Sequence, residues 1–257
     1  MLDLLCRVSS PGGPVNEDAA GTAGCFAWII DGASGSGDAA RLASVMDAFL
    51  AAEAPRHGPG TLADLLSGLE AHLAGLFPED GPSACLGLVA FGVPRDGRVP
   101  VQGAVLGDVC VYLDAGPGFV RWTDDRLKPF EARTLAALAS GDAGQVRAQI
   151  RRNRAFLNRD GGYFAVHPRL PWAHAALRFE ASVAAGSPVV LATDGFTRLD
   201  DLFGHMDARA LAAAVAAGGA AALLGTLRAL EGADPDGRRH PRVKRHDDAT
   251  VLAVAAA

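Results

Sequence analysis

Apolar runs broken by short polar stretches predict strands over 2–8, 24–31, 84–93, 101–113, 117–122, 177–183, 188–193 and 249–254. They are rich in Val, Ile, Leu, Phe and Trp and are bounded by Gly, Pro and Asp. Between 93 and 100, VPRDGRVP places Asp96-Gly97 between two of these runs, a strong two-residue hairpin signal. LDAGPGFV (113–120) predicts a second hairpin. Other segments repeat their apolar residues at helical spacing. Residues 38–53 put Leu42, Val45, Met46, Phe49 and Leu50 on one face behind an Asp38 cap. Residues 61–77 put Leu62, Leu65, Leu66, Leu69 and Leu73 on one face behind a Thr61 cap. Further helices are expected over 131–140, 142–157 and, as an alanine-rich pair, 207–230.

The order of these elements sets the fold class. Two helices follow the second strand, hairpins then join the next strands, and helices return near the end. That is not the strict alternation of a doubly wound sheet. It predicts an α+β domain of antiparallel sheets packed together with helices outside. No internal repeat is present, and the run GADPDGRRHPRVKRH (232–246) precedes a final strand, so it is expected as a surface loop within a single domain spanning 1–257. The uncharged stretch 210–226 is split by Gly218-Gly219 and predicts two amphipathic helices rather than a membrane span.

Composition narrows the function. Nearly half of the 257 residues are hydrophobic, enough for a sizeable core, and the net charge of −5 argues against nucleic-acid binding. Cys6, Cys25, Cys85 and Cys110 are far apart with no CxxC pair, which favours buried thiols in a reducing compartment over zinc or disulfides. The first residues lack the basic start and long apolar core of a signal peptide. A cytoplasmic, monomeric protein without membrane partners is the expectation, and the excess of arginine and alanine points to a GC-rich bacterial gene.

Against this background the acidic residues stand out. Glu17-Asp18, Asp31, Asp108, Asp194 and Asp247-Asp248 mostly abut apolar runs, where an unpaired carboxylate is costly to bury. Ordinary strand-end turns explain any one of them. Taken together, carboxylates ending separate strands are hard oxygen donors of the kind Mg²⁺ or Mn²⁺ takes.

The ordered motifs NEDA (16–19), IIDGASG (29–35), GDVCVYL (107–113), LATDGFTRL (191–199) and DDATVLAV (247–254) resemble those of the type 2C metal-dependent serine/threonine protein phosphatases. The resemblance spans nearly the entire chain. It implies a four-layer α-β-β-α sandwich and hydrolysis of phosphoserine or phosphothreonine on a phosphorylated protein by a water between two Mn²⁺ or Mg²⁺ ions, with a third ion in some members. Carried across, Asp31 bridges the two metals and the Gly32 carbonyl ligates one of them. Asp194 and Asp247 complete the other metal's protein ligands, and Asp108 serves the third with Asp194. Glu17 holds a metal-bound water, with Asp18 beside it, and Asp248 supports the ligands from a position where the family often has Asn. A variable flap is implied around 124–172.

Two positions depart from the pattern. Gly13 stands where the family usually has an arginine that grips the substrate phosphate, and Ala33 where several members have a histidine. A guanidinium from elsewhere is then required. Arg7, on the strand entering NEDA, is the favoured candidate, ahead of the helical stripe Arg147, Arg151 and Arg154. The basic run Arg238, Arg239, Arg242, Lys244 and Arg245 reads first as a solvated loop and second as a guide for acidic partners. GASGSG lacks the signature of a nucleotide loop, Ser34 and Ser36 read as turn hydroxyls, and His167, His174 and His246 read as loop residues without metal-ligand spacing. Alternative functions are a catalytically weak member that binds a phosphoprotein, and a phosphatase for small metabolites.

Overall fold

The computed structural model describes residues 2–33, 38–78 and 81–256; Ser34 and Ser36 lie outside the described residues. Among the described residues, ten strands form two five-stranded antiparallel sheets. The first has the order β1 (Leu2–Ser10), β10 (Ala249–Ala256), β9 (Pro188–Ala192), β6 (Cys110–Asp114), β7 (Phe119–Trp122). The second has the order β2 (Asp18–Ala23), β3 (Phe26–Gly32), β4 (Ala84–Phe91), β5 (Arg98–Leu106), β8 (Leu177–Ala184).

The alternation seen in the sequence decides which face each residue takes. In β3, Ala27 and Ile29 join Val89, Val105, Val111, Leu191 and Leu252 in the core between the sheets. Phe26, Trp28 and Ile30 point the other way, against Leu42, Met46, Leu66 and Leu69 of α1 (Ala39–Glu53) and α2 (Leu62–Leu73). On the outside of the first sheet, Tyr112, Val190 and Val251 pack on Phe196, Leu211, Val215 and Leu227 of the helices that cover it. The result is the expected four-layer sandwich. Between β7 and β8 the chain adds α3 (Lys128–Leu138) and α4 (Ala143–Arg154).

The sandwich helices on the first sheet are α5 (Asp194–Asp201), α6 (Ala208–Ala214) and α7 (Ala220–Ala233). A wide turn over Val215–Gly219, with Gly218 at φ 86°, joins α6 to α7. By length and composition Ala208–Ala233 is apolar enough to cross a membrane, but its Leu211, Val215, Leu223 and Leu227 are buried against the sheet.

Several expectations need correction. Asp96 and Gly97 both take positive φ, as the predicted hairpin requires. The expected strand 101–113 is instead two strands, because Gly107 at φ 76° turns the chain and a Cβ there would lie 2.2 Å from Cys85 Sγ. Asp38 and Thr61 make no side-chain cap: Asp38 is left-handed, at φ 53°, and the Thr61 hydroxyl donates to the Gly58 carbonyl instead. Strand β2 and helix α5 were not anticipated at all.

Candidate active site

The ends of β3, β5 and β9 and the beginnings of β2, β6 and β10 meet at one end of the inter-sheet space. Asp31 has the same parity as Ala27 and Ile29, so it continues their inward-facing row to the margin of the core. Asp18 pairs directly with Asp31 across the β2–β3 ladder. Asp108 sits on the Gly107 turn, which is clamped by Asp124: its N–H donates to the Gly107 carbonyl at 3.2 Å. Asp194 opens α5, where the helix dipole favours an anion. Gly195, next to it, has no alternative, since a Cβ would come 1.9 Å from the Asp248 carbonyl oxygen. Asp247 lies two residues before the start of β10.

These five carboxylates form one electrostatic unit. Burial raises Asp31 well above the usual carboxylate range, reinforced by the charges of Asp194, Asp18, Asp108 and Asp247. Burial likewise pushes Asp18 up to about 8 and, with Asp247 and Asp108 adding, Asp194 to about 7. Asp108 rises to about 7 through burial and then the charge of Glu131, a flap carboxyl to which it is hydrogen-bonded. Asp18 Oδ2 accepts from the Thr193 hydroxyl at 3.0 Å, while Asp18 Oδ1 is buried without a hydrogen-bond partner among the described residues.

The neighbouring loop is held in place by Asp248, whose two oxygens accept from the N–H groups of Gly12 and Glu17, both at 2.7 Å. The Gly32 N–H in turn donates to the Glu17 carbonyl at 3.1 Å. Glu17 is thus fixed beside Asp31 and Gly32 by backbone bonds.

Asp247 is placed differently from the other four. Its Oδ2 lies 2.7 Å from Arg198 Nη2 and its Oδ1 2.6 Å from Lys244 Nζ. Arg198 is also paired at 2.8 Å with Glu231, which is fully buried in α7 and holds Arg228 and His246 as well. Burial opposes the charge of Glu231, but hydrogen bonds from His246, Arg228 and Arg198 outweigh it and keep its carboxyl below the usual range.

The cluster opens into a cleft of about 630 Å³ between the first sheet and the flap. Asp108, Asp194, Asp247, Glu131, Arg154 and Lys244 line it, with Phe130 and Tyr163 on the flap side. A second hollow of about 470 Å³ lies at the opposite end of the first sheet and has one acid, Asp114, on its wall.

The structure therefore brings Glu17, Asp18, Asp31, Gly32, Asp108, Asp194 and Asp247 together. It does not bring Arg7 to them. Arg7 lies opposite Leu252, three ladder positions before Ser10, and its Nη1 donates to the Ala20 carbonyl at 3.1 Å. Of the flap stripe, Arg154 lines the cleft and Arg147 and Arg151 do not. In the basic run Arg238, Arg239 and Arg245 are exposed, as a solvated loop would have them, but Arg242 is buried and paired with Asp234 at 3.1 Å and Lys244 is half-buried. His246 is tied to Glu231 at 2.7 Å, and His167 is buried, its Nδ1 accepting from the N–H groups of Arg169 and Leu170. Glu131, Thr193, Arg198 and Glu231 were not identified from sequence, and Lys244 was read only as part of the basic run.

The donor types suit a hard divalent cation: carboxylates, a backbone carbonyl and an orphaned buried acceptor at Asp18. Yet among the described residues no group of three or more His, Cys, Asp or Glu side chains is arranged to hold an ion as it stands. Burial instead holds the carboxyls of Asp18, Asp31, Asp108 and Asp194 above their usual range, while Arg198 and Lys244 pair with Asp247.

No protein-family model and no curated protein matches the chain. Solved structures do. The serine/threonine phosphatase PstP/Ppp of Mycobacterium tuberculosis is 17% identical, with a TM-score of 0.62 over 99% of this chain and 98% of that one. A structure of the PstP catalytic domain in complex with two manganese ions gives the same identity and TM-score, over 99% and 97%. Stp1 of Staphylococcus aureus is 13% identical with a TM-score of 0.61, over 100% and 96%. The chain has the fold of the metal-dependent serine/threonine phosphatases. At these identities the likeness is one of fold.

Proposed function

We propose that the chain is a type 2C phosphatase that hydrolyses phosphoserine and phosphothreonine on proteins with Mn²⁺ or Mg²⁺, in the cytoplasm of a bacterium. The observation that carries this reading is the convergence of Asp18, Asp31, Asp108, Asp194 and Asp247 from separate strand ends, with burial raising the pKa of Asp18, Asp31, Asp108 and Asp194. Like charges gathered in this way are costly unless a cation joins them. The fold shared with PstP, which has been seen with two manganese ions, supports the same reading. Four unpaired thiols suit a reducing compartment.

In this reading Asp31, the Gly32 carbonyl, Asp194 and Asp247 would hold two ions, Glu17 would complete the set and Asp108 would serve a third. When bound, the ions supply positive charge for the phosphoryl oxygens and make water a nucleophile at neutral pH. The chain's own groups do the positioning. Thr193 orients Asp18, Asp248 fixes the loop that carries Glu17, and the flap residues Phe130 and Tyr163 wall off solvent from the reacting phosphate. Arg154, which lines the cleft, would supply a further positive charge for the phosphate.

The test is hydrolysis of a phosphothreonine peptide with added Mn²⁺ and with chelator. Asp31→Asn should lower kcat by about a thousandfold or more, since several kcal/mol of transition-state stabilisation depend on the ions. Wild-type turnover in that variant, or activity indifferent to chelator, overturns the proposal.

A second reading, a phosphoprotein-binding module with little activity, is favoured by one observation. Both oxygens of Asp247 are already engaged by cations, at 2.7 and 2.6 Å. Retained phosphopeptide binding without hydrolysis at any Mn²⁺ concentration would select it.

A further inference from the structure

Six cations line the cleft, and their commitments differ. Arg121 forms a two-pronged pair with Asp201 at 2.9 and 2.8 Å, and Lys128 is paired with Asp125 at 2.8 Å. Arg242 is buried in the loop before β10, where it binds Asp234 and the carbonyls of His240 and Arg245. Arg198 is held between Glu231 and Asp247 with its side chain only 11% exposed. Arg154 lines the cleft with no ion pair among the described residues. Lys244 is the remaining one. Its side chain is 38% exposed, and its ammonium lies on the same carboxylate that the metal reading needs.

A cation arriving at Asp247 has to compete with two charged partners, Arg198 on Oδ2 and Lys244 on Oδ1. Of its two partners, Arg198 is fixed by a buried ion pair and Lys244 is a point charge on a flexible stem. Lys244 is therefore the partner that yields. Its ammonium sits 2.6 Å from Asp247 Oδ1, on the carboxylate the ion would need. Arg242 pins the loop two residues away, so a displaced Lys244 stays in the cleft.

Resting on the phosphatase reading, we propose that Lys244 holds Asp247 in place of a divalent cation until metal binds, and then turns to the substrate phosphate. It fills the role that Gly13 leaves vacant, with Arg154 lining the same cleft. The phosphate dianion is the group in the cleft best able to take up the released ammonium.

Two binding measurements of opposite sign test this. Calorimetric titration of Mn²⁺ into wild type and Lys244→Ala should show the variant binding about tenfold more tightly, because a competing charged hydrogen bond is gone. Inorganic phosphate binding to the Mn²⁺-loaded proteins should be about tenfold weaker in the variant, with recovery in Lys244→Arg. A merely structural role would weaken both, and Arg245→Ala, exposed in the same loop, should change neither. Unchanged or weaker Mn²⁺ binding by Lys244→Ala overturns the proposal. If wild type binds Mn²⁺ and hydrolyses the peptide while Lys244→Ala behaves identically, the role of Lys244 falls and the phosphatase reading stands. If neither protein binds Mn²⁺, both fall.

Discussion

Asp18 and Asp31 lie directly opposite one another on the β2–β3 ladder, two carboxylates where a sheet would ordinarily place an opposite-charge or apolar pair. With Asp18 pushed up to about 8, the metal-free protein relieves this opposition by keeping a proton near neutral pH. Asp18→Asn removes the need for that proton. The metal-free variant should be more stable than wild type by about 1 kcal/mol, roughly 3 °C in Tm for a domain of this size, while its affinity for Mn²⁺ falls. Thermal unfolding with and without Mn²⁺ reads both effects, and a destabilised metal-free variant would count against the cluster as described.

The same carboxylates fix the sign of the pH dependence. Asp18, Asp108 and Asp194 titrate near 8, 7 and 7 in the folded protein, above their values in an unfolded chain. Between about pH 4 and 8 the folded state therefore binds more protons, and stability falls as pH rises through that window. Cation binding needs the deprotonated forms and has the opposite slope. Metal-free Tm should decline from pH 5 to 8, and the increment given by Mn²⁺ should grow over the same range. A metal-free Tm that climbs through this range would contradict the assignment.

What the sequence revealed and what it hid have separate physical causes. Asp31 was legible because it extends the alternating row of Ala27 and Ile29, and the 93–100 hairpin because Asp96-Gly97 supplies two positive φ angles. Strand β2 was not, because DAAGTA has no large apolar residue. Its smallness is imposed by its neighbour: a Cβ at Gly21 would lie 2.5 Å from the Trp28 ring. Helix α5 was hidden because Asp194-Gly195 has the composition of a turn, whereas Gly195 is needed for close approach to Asp248. The Glu231–Arg198–Asp247 chain joins residues 33 and 49 positions apart, so no local pattern could disclose it. Arg7 was misplaced for the converse reason. Nearness to NEDA in sequence said nothing about the ladder that holds it beside Leu252.

Glu231 is the keystone of that chain, fully buried and paired with Arg198, Arg228 and His246. Removing its carboxylate leaves Arg198 charged and desolvated with one partner fewer. Glu231→Ala should cost about 3–5 kcal/mol of stability, the usual penalty for breaking a buried pair from one side. Glu231→Gln, which retains the shape and some hydrogen bonds, should cost less. Denaturant unfolding of the two variants measures the difference, and a loss below about 1 kcal/mol in Glu231→Ala would show the hub to be structurally idle.

Gly13 offers the most direct challenge to the phosphate-binding scheme. It is exposed, and a Cβ built there meets no atom within 4 Å, so a side chain enters open space. Its neighbour Gly12 packs onto the Asp247 backbone so closely that a Cβ would come within 2.3 Å of the Asp247 carbonyl carbon. The loop therefore lies directly over the ligand that Lys244 occupies. Gly13→Arg should leave stability within about 0.5 kcal/mol of wild type, as surface substitutions do. It should lower KM for a phosphomonoester severalfold, because a guanidinium would share two phosphate oxygens at once. The gain should be larger in a Lys244→Ala background, where the arginine replaces the missing ammonium. Steady-state kinetics on the four proteins of this cycle distinguish the cases. A KM unmoved by Gly13→Arg in both backgrounds would mean that the loop directs position 13 away from the cleft, and that the glycine is there for the path of the chain alone.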